Sequence, residues 1–154
     1  MPDDVPGDVR VLRADPQQLH DLRRRVLRGN DPDVSVSDPR DDEATSLHFA
    51  GFADGRLVVS ASFFPGVAPV NEHLVSLQLR FMATDLDVQG RGYGATVMYR
   101  IEDELRLMGV EQLWANGRDT ALGFYQSIGW QIVEGSEHVS AETQLPHTVI
   151  YKIL

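Results

Sequence analysis

The sequence contains no cysteine, and this absence removes three kinds of chemistry. Disulfide bonds, thiolate metal sites and a cysteine nucleophile are all excluded. Long apolar runs are also missing, and no stretch approaches the roughly 20 residues of a membrane-spanning helix. Residues 1–8 have neither the basic region nor the apolar core of a secretory signal. We therefore expect a cytoplasmic protein without a membrane partner.

Positive charge is in short supply: 14 lysines and arginines face 23 aspartates and glutamates, for a net charge of −9. Non-specific binding of nucleic acid depends on basic residues that neutralise phosphates, so we expect no nucleic-acid partner. A polyanionic ligand would have to be held by local backbone donors, because the overall field of the protein repels it. An acidic surface weakly favours a cationic or amine-bearing substrate.

The first part of the chain predicts a short strand at residues 9–13 followed by a helix. Asp15 is a good N-cap, and Pro16 suits the first helical position. The apolar face of this helix is formed by Leu19, Leu22 and Val26. We expect the arginines near its end to interact with its C-terminal carbonyl groups; they are Arg23, Arg24, Arg25 and Arg28.

Residues 29–45 are polar, punctuated by proline and rich in aspartate. Their aspartates lack the regular spacing of a calcium-binding loop, so we predict a solvated loop and no metal site. The dipeptide Asp54-Gly55 then predicts a tight hairpin between strands at residues 46–53 and 56–64. The second of these strands is apolar on both faces and should lie inside the sheet.

A strand, a glycine-rich turn and a helix occupy residues 74–109, and the rest of the chain is arranged around them. The strand covers residues 74–84. Apolar residues then recur with the period of a helix, at Val97, Ile101, Leu105 and Met108. Gly109 lies where a left-handed residue commonly ends a helix.

Glycines stand at alternate positions where this helix begins, at Gly90, Gly92 and Gly94. Glycine costs about 1 kcal/mol relative to alanine inside a helix, so its presence requires a reason. The first turn offers unpaired N–H groups and the positive end of the helix dipole, and missing side chains let a phosphate approach them. Gln89 and Arg91 add an amide and a charge. We interpret the turn as a pyrophosphate site; the alternative is an ordinary flexible connection.

Two common nucleotide motifs do not fit this turn. The dinucleotide fingerprint G-x-G-x-x-A is formally present, but that fingerprint opens a domain of repeated βαβ units, and here more than half of the chain precedes it. A P-loop would require Gly-Lys-Ser or Gly-Lys-Thr, and neither is present.

The remaining segments complete the predicted fold. Residues 111–115 form a strand parallel to residues 74–84, because a helix joins the two. The later segments are a turn at 116–119, a helix at 120–128, and strands at 130–134 and 148–154. We predict one α/β (α+β) domain over residues 9–154, after a flexible tail at residues 1–8. Its core is a mixed, mostly antiparallel sheet of about seven strands with helices on both faces.

The segment at residues 89–94, QGRGYG, fits the pattern Q/R-x-x-G-x-G/A, and with it the chain resembles the GNAT superfamily of acyl-CoA N-acyltransferases. The approach at residues 82–85 and the later A-x-x-F-Y-x-x-x-G-W of residues 121–130 are also similar to that family. The resemblance spans residues 74–130, and the predicted strand order is compatible with it. Leu86 departs from the proline that many members carry.

The resemblance implies acetyl-CoA as cosubstrate and no metal. Backbone groups of Met82 and Thr84 would hydrogen-bond the pantetheine arm, and the glycine turn would bind the pyrophosphate. A bulge within residues 81–83 would splay this strand from the one ending at Ala115 and open a slot for the arm. The residues expected to bind the cofactor are Met82, Ala83, Thr84, Gln89, Gly90, Arg91, Gly92, Tyr93, Gly94, Ala95, Asn116, Ala121, Phe124 and Tyr125.

Tyr125 is the residue that the resemblance nominates for chemistry. A phenol, with a pKa of about 10, can donate a proton to a leaving thiolate whose conjugate acid has a pKa of about 8.5. The alternative is that Tyr125 only packs, as part of a helical apolar stripe. No single residue stands out as the base that deprotonates the amine, and a water relay would suffice. The candidates are Glu72, His73, His48, Asp85 and His147.

These expectations describe an N-acetyltransferase that moves an acetyl group from acetyl-CoA to an amine by direct attack, with Tyr125 as general acid. The alternative is a binding module that holds acyl-CoA without transferring it, as a sensor or regulatory partner. A small amine, a peptide N-terminus and a lysine side chain all stay open as acceptors, and a homodimer is compatible with the sequence.

Overall fold

A computed structural model describes residues 9–154 as one sheet and three α-helices. The strands are β1 Val9–Arg13, β2 Leu47–Ala53, β3 Arg56–Pro65, β4 Ser76–Thr84, β5 Gln112–Arg118, β6 Gln131–Ile132, β7 His138–Val139 and β8 Pro146–Ile153. The helices are α1 Pro16–Leu27, α2 Tyr93–Leu107 and α3 Leu122–Ser127, with 3₁₀ turns at Leu86–Val88 and Asp119–Ala121. The flexible tail predicted at residues 1–8 lies outside the described residues.

Within residues 9–154 the sheet has eight strands, in the spatial order β1-β2-β3-β4-β5-β8-β6, and the short β7 pairs with β8. Neighbouring strands run antiparallel except β4 and β5, which α2 connects and which therefore run parallel. The predicted mixed, mostly antiparallel sheet is confirmed. No helix in this range is both long and apolar enough to cross a membrane.

The first two helices lie on opposite faces of the sheet, as predicted. On one face, a Cβ added at Gly51 of β2 would lie 2.6 Å from Val97 of α2 and 3.2 Å from Val59 of β3. On the other face, Ser62 of β3 accepts a hydrogen bond from Arg23 of α1 at 2.8 Å. The alternation of side chains along β3 produces this division. The apolar core fills the α2 face, and α3 packs into the same core.

Three element boundaries were predicted wrongly. Residues 116–118 continue β5 instead of turning, because they pair with residues 147–149 of β8. The strand predicted from residue 130 contains only Gln131–Ile132. Met108 lies beyond the end of α2 with 53% of its surface exposed, so it does not belong to the buried stripe of that helix. In each case tertiary pairing or packing overrides the local pattern.

The predicted hairpin is confirmed, because Asp54 and Gly55 connect β2 to β3 with φ angles of +52° and +76°. The solvated loop predicted at residues 29–45 is wrong in part, since Asp38 and Asp41 are buried. Arg23 is also fully buried and donates to Asp41 at 2.9 Å, so it does not serve the end of α1 as predicted. A buried, charged layer therefore lies between α1 and the sheet.

Candidate active site

Phe81 opens a gap in the middle of the sheet. Its φ angle of +57° is rare for a residue other than glycine, and the register between β3 and β4 shifts at this position. β4 pairs with β5 only at residues 76–78, so the two strands separate beyond that point. The bulge and the splayed strands predicted around residues 81–83 are confirmed.

Two peptide groups of β4 face this gap. The Phe81 carbonyl accepts a hydrogen bond from Ser60 Oγ of β3 at 3.2 Å, so the N–H of Met82 in the same planar peptide points the opposite way. Asp85 N donates to a carbonyl of β3 at 2.7 Å, so the Thr84 carbonyl also faces the gap. Ala83 pairs with β3 and is buried. This edge of β4 can therefore accept an extended ligand as an added strand.

The backbone of the following turn requires glycine at two positions. Gly90 and Gly92 have φ angles of +81° and +83°, in the left-handed region that other residues adopt only with strain. Gly92 is the N-cap of α2, and its carbonyl accepts a hydrogen bond from Thr96 N at 3.0 Å. No side chain within residues 9–154 caps this end of the helix. Its first-turn N–H groups are therefore left for solvent or a ligand.

Gly94 is present for a different reason. It is buried on the first turn of α2, and a Cβ placed on it would lie 3.0 Å from Thr84 Oγ1, 3.3 Å from Met82 Cε and 3.4 Å from Phe124 Cζ. The missing side chain lets α2 pack closely against β4 and α3 at the gap. These contacts give Gly94 a role in packing, and its predicted contact with the cofactor stays a prediction.

The other predicted residues of the turn surround the start of α2. Gln89 is exposed, and its Nε2 donates to Thr84 O, the carbonyl that faces the gap, at 3.0 Å. Arg91 is exposed, while Tyr93 and Ala95 are half-buried on the first turn of the helix. The predicted segment is therefore gathered at one end of the gap, beside the uncapped helix terminus.

A cavity of about 470 Å³ lies where β4 and β5 separate. Its walls come from the two splayed strands, the C-terminal end of α1, the residues around the start of α3 and the segment that contains β7. Of the residues predicted to form the site, those that line the cavity are Met82, Asn116, Ala121 and Tyr125. The glycine turn lies outside its walls.

Tyr125 is buried, and its ring packs edge-on against Phe124 and Trp130, with centroids 5.2 Å apart in each pair. These contacts account for the ring by packing. The hydroxyl group has no structural role of this kind. It has no hydrogen-bond partner within residues 9–154, and Tyr125 lines the cavity. Burial raises the pKa of the Tyr125 phenol, while the positive charge of Arg118 opposes the shift. The hydroxyl therefore keeps its proton at neutral pH.

His147 is the predicted candidate base that lines the cavity. Its Nδ1 lies 2.8 Å from Leu145 O, and an N–H must occupy that contact, so in the neutral ring Nε2 carries the lone pair. The ring lies beside that of His138, a cavity residue that sequence patterns did not reveal, with centroids 6.0 Å apart.

The other candidate bases do not line the cavity. Glu72 and His73 are exposed in the loop before β4 and do not line the cavity. Asp85 accepts hydrogen bonds from Arg25 at 3.2 Å and 3.1 Å, and these bonds lower the pKa of the Asp85 carboxyl. His48 is buried with both ring nitrogens engaged, at 2.7 Å and 2.8 Å from oxygen atoms. Within residues 9–154, no cluster of three or more histidine, aspartate or glutamate side chains is arranged to hold a metal ion.

Arginines line the cavity although the protein is acidic overall, and sequence patterns did not reveal them; they are Arg28, Arg40, Arg80 and Arg118. Asp38 lies 2.9 Å from Arg40 Nη2 and 2.6 Å from Arg80 Nη1. Burial alone would raise the pKa of Asp38, but the bonds from these two arginines outweigh burial and lower it. The available signal was Arg80 itself, the one charged residue of β4, a strand whose positions alternate between buried and half-buried.

The chain has clear relatives among known proteins. Residues 17–130 match the model of the Acetyltransferase (GNAT) family. YitI of Bacillus subtilis (strain 168), described as an uncharacterized N-acetyltransferase, is 30% identical over 138 residues, which cover 90% of this chain and 91% of the relative.

Solved structures share the fold. A ribosomal-protein-alanine N-acetyltransferase from Brucella melitensis superposes with a TM-score of 0.68 at 19% sequence identity, over 94% of this chain and 99% of that one. An acyl-CoA N-acyltransferase from Pseudomonas aeruginosa gives a TM-score of 0.68 at 18% identity, over 94% of this chain and 98% of that one. These similarities confirm the predicted architecture of the sheet and its helices.

Proposed function

The chain belongs to the GNAT family of acetyltransferases, and we propose that it transfers the acetyl group of acetyl-CoA to an amine by direct attack of that amine. The observation that carries this proposal is the position of Tyr125 on the cavity that opens where β4 and β5 separate. A proton donor, the peptide groups of β4 that face the gap and space for an acceptor thus share one region of the sheet.

Several features of the chain fit acetyl-CoA. The Met82 N–H and the Thr84 carbonyl face the gap, where they would pair with the amide groups of a pantetheine arm once Gln89 releases that carbonyl. The uncapped first turn of α2 presents N–H groups and the positive end of a helix dipole to a pyrophosphate. Gly90 and Gly92 place no side chains of their own at that helix end.

The residues of the cavity supply the proton transfers of the reaction. Acetyl-CoA would provide an activated thioester, from which the amine takes the acetyl carbon while the sulfur leaves with the bonding electron pair. Tyr125 would give its phenol proton to that sulfur and regain one from water. His147 Nε2, or water, would accept the proton that the amine loses. Positioning supplies much of the acceleration, because the thioester is already activated.

Burial has two effects on Tyr125 as an acid. The raised pKa keeps the proton on the phenol before the reaction and also makes the phenol a weaker acid. A thiolate in the same desolvated space is a stronger base than in water, because burial disfavours every anion. The two shifts act in opposite directions on the proton transfer, so a buried phenol is compatible with this role.

Ligand-dependent unfolding tests the cofactor. Acetyl-CoA at about 100 times its Kd should add about 2.7 kcal/mol to the free energy of unfolding, because it binds the folded state alone. NAD and ATP at equal concentration should add less. A larger stabilisation by NAD would contradict the assignment of the glycine turn to acetyl-CoA.

Release of the CoA thiol tests the transfer itself. Because the chain contains no cysteine, a thiol reagent detects the product without a background from the protein. We expect thiol release that depends on an added amine, over a panel of small amines, amino acids and peptides. Stabilisation by acetyl-CoA without thiol release for any amine would instead indicate a module that binds acyl-CoA without transferring it.

A further inference from the structure

Two arginines converge on one oxygen atom in the wall of the cavity. Arg118 Nη2 donates to Leu27 O at 2.6 Å, and Arg28 Nη1 donates to the same carbonyl at 3.0 Å. Arg118 ends β5, and Arg28 is the C-cap of α1, so the fold brings together two cations that are distant in the sequence. Both line the cavity.

The carboxylates in and near the cavity wall do not balance the charge of these two arginines. Asp38 is already engaged by the other two cavity arginines. Glu142 lies 2.5 Å from Arg80 but 3.6 Å from Arg28 Nη2, so its contact with Arg28 is the weaker one. No carboxylate in the described part of the chain forms an ion pair with Arg118. Arg28 and Arg118 therefore carry more positive charge than the carboxylates bonded to them can neutralise.

Burial makes this excess of charge costly. The Arg28 side chain is only 8% exposed, and its Nε finds no acceptor among residues 9–154. Burial lowers the pKa of the Arg28 guanidinium; Glu142 opposes that shift, and Arg118 adds to it. The carbonyl that the two arginines share belongs to a neutral peptide group at the end of a helix, so it offers only a partial negative charge. An anion bound at this wall would relieve the repulsion between the two cations.

We propose that the acceptor is a small amine that also carries a carboxylate, and that Arg28 and Arg118 bind this carboxylate. The inference rests on the proposed acetyl transfer and names its substrate class. Guanidinium groups are planar forks that match a carboxylate with parallel hydrogen bonds. Tyr125 and His147 line the same cavity, so one small molecule spans the anion-binding wall and the groups proposed for proton transfer.

The size and charge of the cavity further limit the range of possible acceptors. Its volume of about 470 Å³ is in the range of small-ligand sites, about 300–1,000 Å³, and the acetyl end of the cofactor takes a share of it. The net charge of the protein weakly favoured a cationic or amine-bearing substrate, yet the cavity itself is rich in arginine. An amino acid or a related amino-carboxylate fits this lining better than a lysine side chain does.

Matched acceptors test the carboxylate directly. Amino acids are compared with their own amides in thiol release at saturating acetyl-CoA. We expect kcat/KM to be about 10-fold or more higher for each acid than for its amide, the scale of one charge-assisted hydrogen bond. Arg118→Gln and Arg28→Gln should bring that ratio close to one and leave the KM for acetyl-CoA unchanged. Arg10→Gln, the same change at an exposed position of β1, should preserve the ratio.

The outcomes separate this proposal from the proposed function. Transfer to amides as fast as to acids would overturn the carboxylate assignment and leave acetyl transfer standing. Faster transfer to aminophosphonates than to aminocarboxylates would also overturn it, in favour of a phosphate-like anion. If no acceptor supports transfer, thermal unfolding with CoA and N-acetyl amino acids decides. A larger shift than with the corresponding amides, lost in Arg118→Gln, would support the anion site, and equal shifts would contradict it.

Discussion

The two faces of the sheet are built from the same strands but hold opposite kinds of side chains. Facing α2, Val59 and Phe63 of β3 pack with Ile101 in an apolar core. Facing α1, Ser62 of the same strand accepts a hydrogen bond from the fully buried Arg23. A buried ion pair is often no more stabilising than apolar packing of the same volume. We infer that apolar packing on the α2 face supplies most of the stability of the fold. The α1 face instead positions charged side chains beside the cavity.

Phe81 is where the polar face meets the cavity. Three guanidinium groups lie over its ring, with their Cζ atoms at 4.0 Å, 4.5 Å and 5.9 Å from the ring centroid; they belong to Arg23, Arg80 and Arg28. The bulge that turns Phe81 to this side also separates β4 from β5. The packing of the polar face and the opening of the cavity therefore depend on the same backbone irregularity.

The largest effect on stability should come from removing the partner of a buried charge on the polar face. Asp41→Ala removes the carboxylate bonded to Arg23, and an uncompensated buried charge should lower the free energy of unfolding by about 3–5 kcal/mol. Chemical denaturation measures the loss. Asp42→Ala, at the exposed neighbouring position, should change stability by less than about 0.5 kcal/mol. Equal losses in the two variants would show that Arg23 does not depend on Asp41.

A smaller loss is expected on the apolar face. Ile101→Val removes one methylene group from a fully buried side chain and should lower the free energy of unfolding by about 0.5–1.5 kcal/mol. The same denaturation experiment measures it. A loss as large as that of Asp41→Ala would contradict the expectation that an unpaired buried charge costs more than one missing methylene group.

The smallest effect is expected at the partly exposed pair of Arg25 and Asp85, where α1 meets the turn before α2. Arg25 lowers the pKa of Asp85, so the carboxylate stabilises the fold above its unfolded pKa of about 3.9, and this contribution is lost as the pH falls through the native value. Asp85→Asn should be less stable than wild type at neutral pH, by about 1 kcal/mol or less. Urea unfolding across pH should show the difference shrinking in acid, and a difference independent of pH would contradict the pairing.

Local sequence patterns predicted the apolar face better than the polar one. The hairpin at Asp54-Gly55 and the helical period of Val97 and Ile101 are short-range signals, and both are confirmed. The polar face depends on contacts between distant residues, since Arg23 meets Asp41 18 residues away and Ser62 39 residues away. No periodicity within one segment encodes such pairs, so they became visible only in the fold.

In the candidate site, too, some residues were predicted from the sequence and others became visible only in the fold. Tyr125 and the residues expected to bind the pantetheine arm came from the family resemblance, and the phosphate site came from the glycine pattern. The roles of all these residues stay predictions. Arg118 stood in a predicted turn. In the structure it is the last residue of β5, paired with His147 of β8, and it donates to Leu27, 91 residues away. The glycine turn lies where it was predicted, and the close packing of Gly94 against Thr84 is a contact that the sequence pattern did not show.

The central claim is that Tyr125 acts as the general acid in the cavity between β4 and β5, and Tyr125→Phe tests it most directly. The variant keeps the ring contacts with Phe124 and Trp130 and loses only the proton donor. We propose to measure turnover at saturating acetyl-CoA together with a direct binding titration. The account predicts that kcat falls by about 10²-fold or more, while the Kd for acetyl-CoA changes by less than about 10-fold. Turnover near wild type, or a loss of affinity with kcat retained, would contradict it.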